Sequence, residues 1–98
     1  MRGSLAHRVD GNHKEIVDGL RALPGVSVAS TAALGGGFPD IAVGYAGNTY
    51  LFEIKDPAKP PSARRLTPDE EAWIAAWKGQ VGVVMSVREV MTWIDFPA

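Results

Sequence analysis

The sequence predicts an α/β fold, a mixed sheet with helices on its faces in the order α-β-β-β-α-β-α. Three observations carry that prediction. Residues 39–55 alternate apolar and polar positions on both sides of a Gly-Asn pair, the pattern of an antiparallel hairpin. Stretches of helical period lie on either side of it, each with its own start or stop signal. The segment from the hairpin's second strand to the Val-rich run at 80–85 is long enough to hold a helix and make a right-handed parallel crossover.

Residues 1–9, with Arg2, His7 and Arg8, read as a loosely held arm. A helix is expected to start near Asp10 or Asn12, both good N-caps, and to run to about Leu23, where Pro24-Gly25 stops it. Ile16, Leu20 and Leu23 form its core stripe and Val17 widens it. Glu15 lies on the flank with Gly19 and Ala22, where it either faces solvent or turns to the sheet. His13 lies near the stripe, but neither it nor His7 has a partner at metal-ligand spacing.

Val26–Ser30 alternates as a short first strand. Gly35-Gly36-Gly37 then suits either a connector or a loop whose backbone approaches a phosphate. It is not a P-loop: a strand follows it and no Gly-Lys-Ser/Thr is present, so no nucleotide cofactor is expected. After the hairpin, the proline-stiffened loop from Asp56 to Arg65 carries Lys59, Arg64 and Arg65. With Lys55 included, this stretch has a net charge of +3. Such cations can hold a nucleic-acid backbone without reading its sequence, or simply face water.

Thr67-Pro68-Asp69-Glu70 is a helix start, with Thr67 at the N-cap, Pro68 at N1 and Glu70 completing a capping box. Trp73, Ile74 and Trp77 fall on one face, read as core, and Gly79 ends the helix. Gln80–Met85 is a Val-rich strand. Ser86 caps a final helix with Val87, Val90, Met91 and Ile94 directed inward.

Ninety-eight residues with 46% hydrophobic and 21% charged content suit one soluble domain, 1–98. No apolar run approaches a membrane span and the start lacks a secretory pattern. The absence of cysteine excludes disulfides and thiolate chemistry. These features fit a cytoplasmic protein.

The hairpin concentrates the chemistry. With Gly47-Asn48 at the turn, Ala46 faces Thr49, Ala42 lies opposite Glu53, and Asp40 lies opposite Lys55. Side chains alternate between the faces of a strand. One face then carries Ile41, Val43, Tyr45, Tyr50, Phe52 and Ile54. The other carries Asp40, Ala42, Gly44, Leu51, Glu53 and Lys55. Asp40 and Glu53 are diagonal neighbours, about 7–8 Å apart at Cα, so their oxygens can reach one ion. Two close carboxylates repel, and a divalent cation with retained waters relieves that repulsion. The competing reading is a strand end with ordinary surface charges.

Pro39-Asp40 followed by Glu53-Ile54-Lys55 resembles the PD-(D/E)XK nuclease motif in its usual place on a hairpin. The helix bearing Glu15, the Gly-rich lead into Pro39-Asp40 and the Leu66-Thr67 helix start bearing Trp73 resemble the virus-type replication-repair (VRR-NUC) branch, some of whose members are stand-alone phage proteins. The resemblance runs roughly from Val9 to Ile94. It departs at one place: the family often has Gln in the first turn of the helix after the Lys, where this chain has Glu70 and Glu71, and no role is carried to that position.

The resemblance implies a restriction-endonuclease-like core and a Mg²⁺- or Mn²⁺-dependent endonuclease that cleaves DNA. Asp40, Glu53 and the Ile54 carbonyl would hold the metal, Lys55 would orient water or neutralise the phosphate, and Glu15 would hold a metal-associated water or second ion. Gly36, Gly37, Lys59, Arg64 and Arg65 would contact the nucleic acid. It also implies a two-fold homodimer, selectivity for branched or Holliday-junction DNA, and the host cytoplasm for a phage-encoded member. A non-catalytic DNA- or protein-binding module on the same fold is the alternative, and an RNase differs from these only in substrate.

Overall fold

The computed structural model of the protein describes residues 11–97. The expected arm at 1–9 and the candidate cap Asp10 lie outside them. Helix α1 is His13–Arg21, and strands β1 and β2 are Val26–Ser30 and Ile41–Tyr45. Strand β3 is Asn48–Ile54, α2 is Pro68–Ala76, β4 is Val81–Val84 and α3 is Val87–Trp93. Short 3₁₀ turns at Ala32–Leu34 and Pro61–Arg64 interrupt the two longest connections. The element order is the one expected.

The sheet runs β1-β2-β3-β4, antiparallel except for the β3–β4 pair, which is parallel. Strand β3 is therefore bonded on both edges. One face of the sheet is closed by α1 and α3. Ile16, Val17 and Leu20 from α1 and Val90 and Ile94 from α3 or its end pack on Ile41, Val43, Tyr50, Phe52, Ile54 and Val84. Gly19 lets α1 approach α3, since a Cβ there would stand 2.7 Å from Val87 Cγ2. Among the described residues, no helix is long and apolar enough to cross a membrane.

The hairpin corrects its expected register. The pairs are Tyr45↔Asn48, Val43↔Tyr50 and Ile41↔Phe52, so the turn is Ala46-Gly47 and Asn48 already belongs to β3. Both turn residues have positive φ, 52° for Ala46 and 81° for Gly47. A two-residue turn of this kind takes glycine most readily at its second position, which Ala46-Gly47 supplies and Gly47-Asn48 does not. The turn moves by one residue on each strand, so every side chain keeps its expected face while its cross-strand partner changes.

Helix α2 also differs from expectation. None of its residues is buried, and Trp77, read as core, is 43% exposed. Trp77 stacks on Trp73 with ring centroids 4.7 Å apart, and Trp73 meets the Phe38 ring edge-on at 4.8 Å. The helix is held by its start: Thr67 Oγ1 accepts from Glu70 N–H at 3.2 Å, and Glu70 Oε1 accepts from Thr67 N–H at 2.9 Å.

Candidate metal and phosphate site

Asp40 is tied to the residues on both sides of Glu53. Its N–H donates to the Phe52 carbonyl at 2.9 Å, and its Oδ2 accepts from the Ile54 N–H at 2.8 Å. The aspartate is thus neither opposite Lys55 nor merely diagonal to Glu53; it clasps the strand around Glu53. The Glu53 carboxyl adjoins those of Asp40 and Glu70, and both act on its ionisation.

The Ile54 carbonyl can be placed from the peptide geometry. Lys55 N–H donates to Val84 O on the β4 side at 3.0 Å. In a planar trans peptide the carbonyl of that unit, which is Ile54's, points the opposite way, toward the β2 edge where Asp40 lies.

The electrostatics follow from burial. Glu53 is 4% exposed and Lys55 8%. Desolvation, then hydrogen bonds and like charge from Glu70 and Asp40, push the Glu53 carboxyl up to about 10. Without a cation it is a protonated acid at neutral pH. Burial also raises Asp40, against the opposing pull of the Ile54 N–H. Burial alone would raise Glu70 too, but the bonds it receives from Glu53 and Lys55 hold it below the usual carboxylate range. Lys55 Nζ donates to Glu70 Oε1 at 2.8 Å and lies 3.7 Å from Glu53 Oε2.

A buried acid that keeps its proton beside a half-buried aspartate is suited to exchange it for a divalent cation. Asp40, Glu53 and the Ile54 carbonyl supply hard oxygen ligands, the type Mg²⁺ and Mn²⁺ prefer. Among the described residues, no three His, Asp or Glu side chains form a cage. An ion would therefore rely on the backbone carbonyl and water for its remaining ligands.

The other expected site residues divide. Glu15 is exposed and, among the described residues, has no hydrogen bond or ion pair. The buried stripe of α1 runs through His13, Ile16, Val17 and Leu20, and Glu15 falls off it. Gly37 serves the fold: a Cβ there would meet Asp69 O at 2.4 Å, so its close approach is to the start of α2 rather than to a ligand. Gly36 stands in open space at φ 65°. Lys59 and Arg65 are exposed, while Arg64 is half-buried.

Three residues of the site were not assigned to it from the sequence. Glu70 had been accounted for by its cap and joins the cluster through the same oxygen. His13 is buried, and its charge lowers Asp40. Its period with Ile16 and Val17 was the available signal. Asn12 starts α1, but its side chain does not cap that helix. Its amide instead donates to Lys55 O at 3.1 Å and Met85 O at 3.2 Å, joining the ends of β3 and β4.

Comparison of the chain with protein-family models, curated proteins and solved structures finds no match.

Proposed function

We propose that this protein is a Mg²⁺- or Mn²⁺-dependent endonuclease that hydrolyses DNA phosphodiester bonds, of the PD-(D/E)XK type and VRR-NUC branch that its motifs resemble. The observation that carries the reading is the clasp: Asp40 bonded to both neighbours of a buried Glu53, with the Lys55 amine 3.7 Å from it. Asp40, Glu53 and the Ile54 carbonyl would bind the ion. When bound, the ion supplies Lewis acidity to the phosphate and lowers the pKa of water. Lys55, held in place by Glu70, offers a fixed positive charge to the oxygens on which negative charge develops. The exposed Lys59 and Arg65 and the backbone at Gly36 would contact the strand on either side, so affinity should fall as salt rises. Glu15 has no part in this mechanism. A homodimer and a preference for branched DNA belong to the proposal by resemblance alone.

A second reading is favoured by one contact. Lys55 is already paired with Glu70 at 2.8 Å, so the cluster is satisfied without a metal, as in a binding module that retains the fold and not the chemistry. Plasmid, flap and four-way DNA incubated with Mg²⁺, Mn²⁺ or EDTA separates the two. The nuclease reading expects cleavage that needs the metal and falls by about a thousandfold or more in Glu53→Ala. Metal-dependent cleavage by Glu53→Ala at the wild-type rate removes the site assignment. Binding without cleavage on every substrate establishes the module.

A further inference from the structure

We infer that the cleft between the Pro61–Arg64 turn and β4 is a subsite for a phosphate-bearing nucleotide, with the Arg64 guanidinium as its anion receptor. Lys55, Pro61, Arg64, Val83 and Met85 line this cleft, which has a volume of about 280 Å³. It opens on the face of the sheet that carries the candidate site. Val83 pairs with Glu53 in the β3–β4 register and so projects to the same side, and Lys55 belongs to both.

Arg64 is the unusual member. Its Nη1 lies 4.0 Å from the Met85 thioether sulfur, a weak acceptor, and its Nε is buried without a hydrogen-bond partner among the described residues. No carboxylate of the described residues stands within ion-pair distance of it. A guanidinium presents five donors and does not lose its charge. Burying its Nε while Nη1 meets only sulfur among the described residues is costly unless an acceptor arrives. The turn that carries Arg64 is braced: Ala63 N–H closes on Pro60 O at 2.9 Å, and Pro60 and Pro61 limit its backbone alternatives. The neighbouring Arg65 is exposed.

The walls narrow the class of ligand. Pro61, Val83 and Met85 are apolar, and Val83 is 40% exposed, so the cleft offers a surface for a sugar or base beside a receptor for an anion. A nucleoside phosphate has both parts. Because Lys55 borders the cleft, a phosphate held there would adjoin the one addressed by Asp40 and Glu53. That placement rests on the nuclease reading, whereas the binding itself does not.

The test uses the full chain in EDTA, with amide chemical shifts followed during titration with thymidine 5′-monophosphate, thymidine and inorganic phosphate. The monophosphate is expected to perturb Arg64, Val83 and Met85. It should bind more tightly than thymidine by about tenfold to a hundredfold, the factor of a charged hydrogen bond. Arg64→Gln, which keeps much of the stem's packing, should remove that advantage without lowering Tm. Equal affinity for monophosphate and thymidine, or monophosphate binding unchanged in Arg64→Gln, overturns the subsite. Monophosphate binding that depends on Arg64, in a protein that cleaves no DNA with either metal, upholds the subsite and rejects the nuclease. Metal-dependent DNA cleavage with no monophosphate binding does the reverse.

Discussion

Phe52 and Glu53 are neighbours on β3 and almost equally hidden, at 0% and 4% exposure, but they are buried by opposite means. Phe52 points into a layer closed by two helices, where Ile41, Ile16 and Val90 share the same cluster. Glu53 points to the other face, beneath the start of a helix with no buried residue, and its neighbours are an aspartate, a lysine and a second glutamate. One face is hidden because burial is favourable there. The other is hidden despite a cost, and that cost is reduced by a proton, an ion pair and the clasp of Asp40. The contrast teaches that depth in this sheet does not distinguish structure from site; the chemistry of the neighbours does.

The largest effects should separate the two faces. Phe52→Ala should cost about 3–5 kcal/mol, the range for removing a buried aromatic ring. In a domain of this size that is a large share of the total stability. Glu53→Gln should leave stability in EDTA unchanged or higher at neutral pH, because the amide keeps a neutral, hydrogen-bonding group where the acid must hold a proton. Urea denaturation of both variants in EDTA checks this. A Glu53→Gln loss comparable to that of Phe52→Ala would mean that the polar face also holds the fold together.

The dependence on pH sharpens the comparison. Glu53 goes from about 10 in the folded, metal-free protein to its ordinary 4.5 when unfolded. The folded state therefore binds the extra proton, and this contribution to stability is complete below 4.5 and lost as pH rises toward 10. Between about pH 5 and 9, Tm in EDTA should fall for the wild type relative to Glu53→Gln. Saturating Mg²⁺ should flatten the curve by taking the proton's place, with proton release measurable by calorimetry in buffers of different ionisation enthalpy. A difference between the two proteins that is flat across that range would show that Glu53 holds no proton.

The two faces also differed in how far the sequence revealed them. The Phe52 face was readable throughout: alternation gave its residues on β2 and β3, and helical period gave Ile16, Leu20, Val90 and Ile94. Both patterns survive a shift of the turn, because moving each strand by one residue preserves parity. The polar face was readable only as a set of residues. Asp40, Glu53 and Lys55 were identified, but their contacts depended on register and on backbone bonds that carry no side-chain signature. Glu70 satisfied a local rule so well that its tertiary contact had no separate signal. Glu15 had the right residue type but not the orientation. For α2, a strong start signature and three large apolar residues suggested burial, yet the helix buries none of its residues and Trp77 stacks on Trp73 while still 43% exposed.

The smallest predicted effect probes how the polar face shares its charge. Glu70 Oε1 receives both the Thr67 N–H of the cap and the Lys55 ammonium. Glu70→Ala removes the acceptor and should cost about 1 kcal/mol through the cap alone. Glu70→Gln keeps an oxygen for the cap but no charge for Lys55, which would leave a buried ammonium uncompensated if nothing else changed. Glu53 can supply the missing charge, since its oxygen is already 3.7 Å from the amine and the hydrogen bond and charge of Glu70 are among the reasons it keeps its proton. In Glu70→Gln, Glu53 should ionise at a lower pH, so stability at neutral pH should change by a few tenths of a kcal/mol. The decline of Tm with pH in EDTA should then end earlier than in the wild type. A Glu70→Gln curve that keeps the wild-type slope up to pH 9 would mean that the ion pair with Glu70 has no influence on the proton of Glu53.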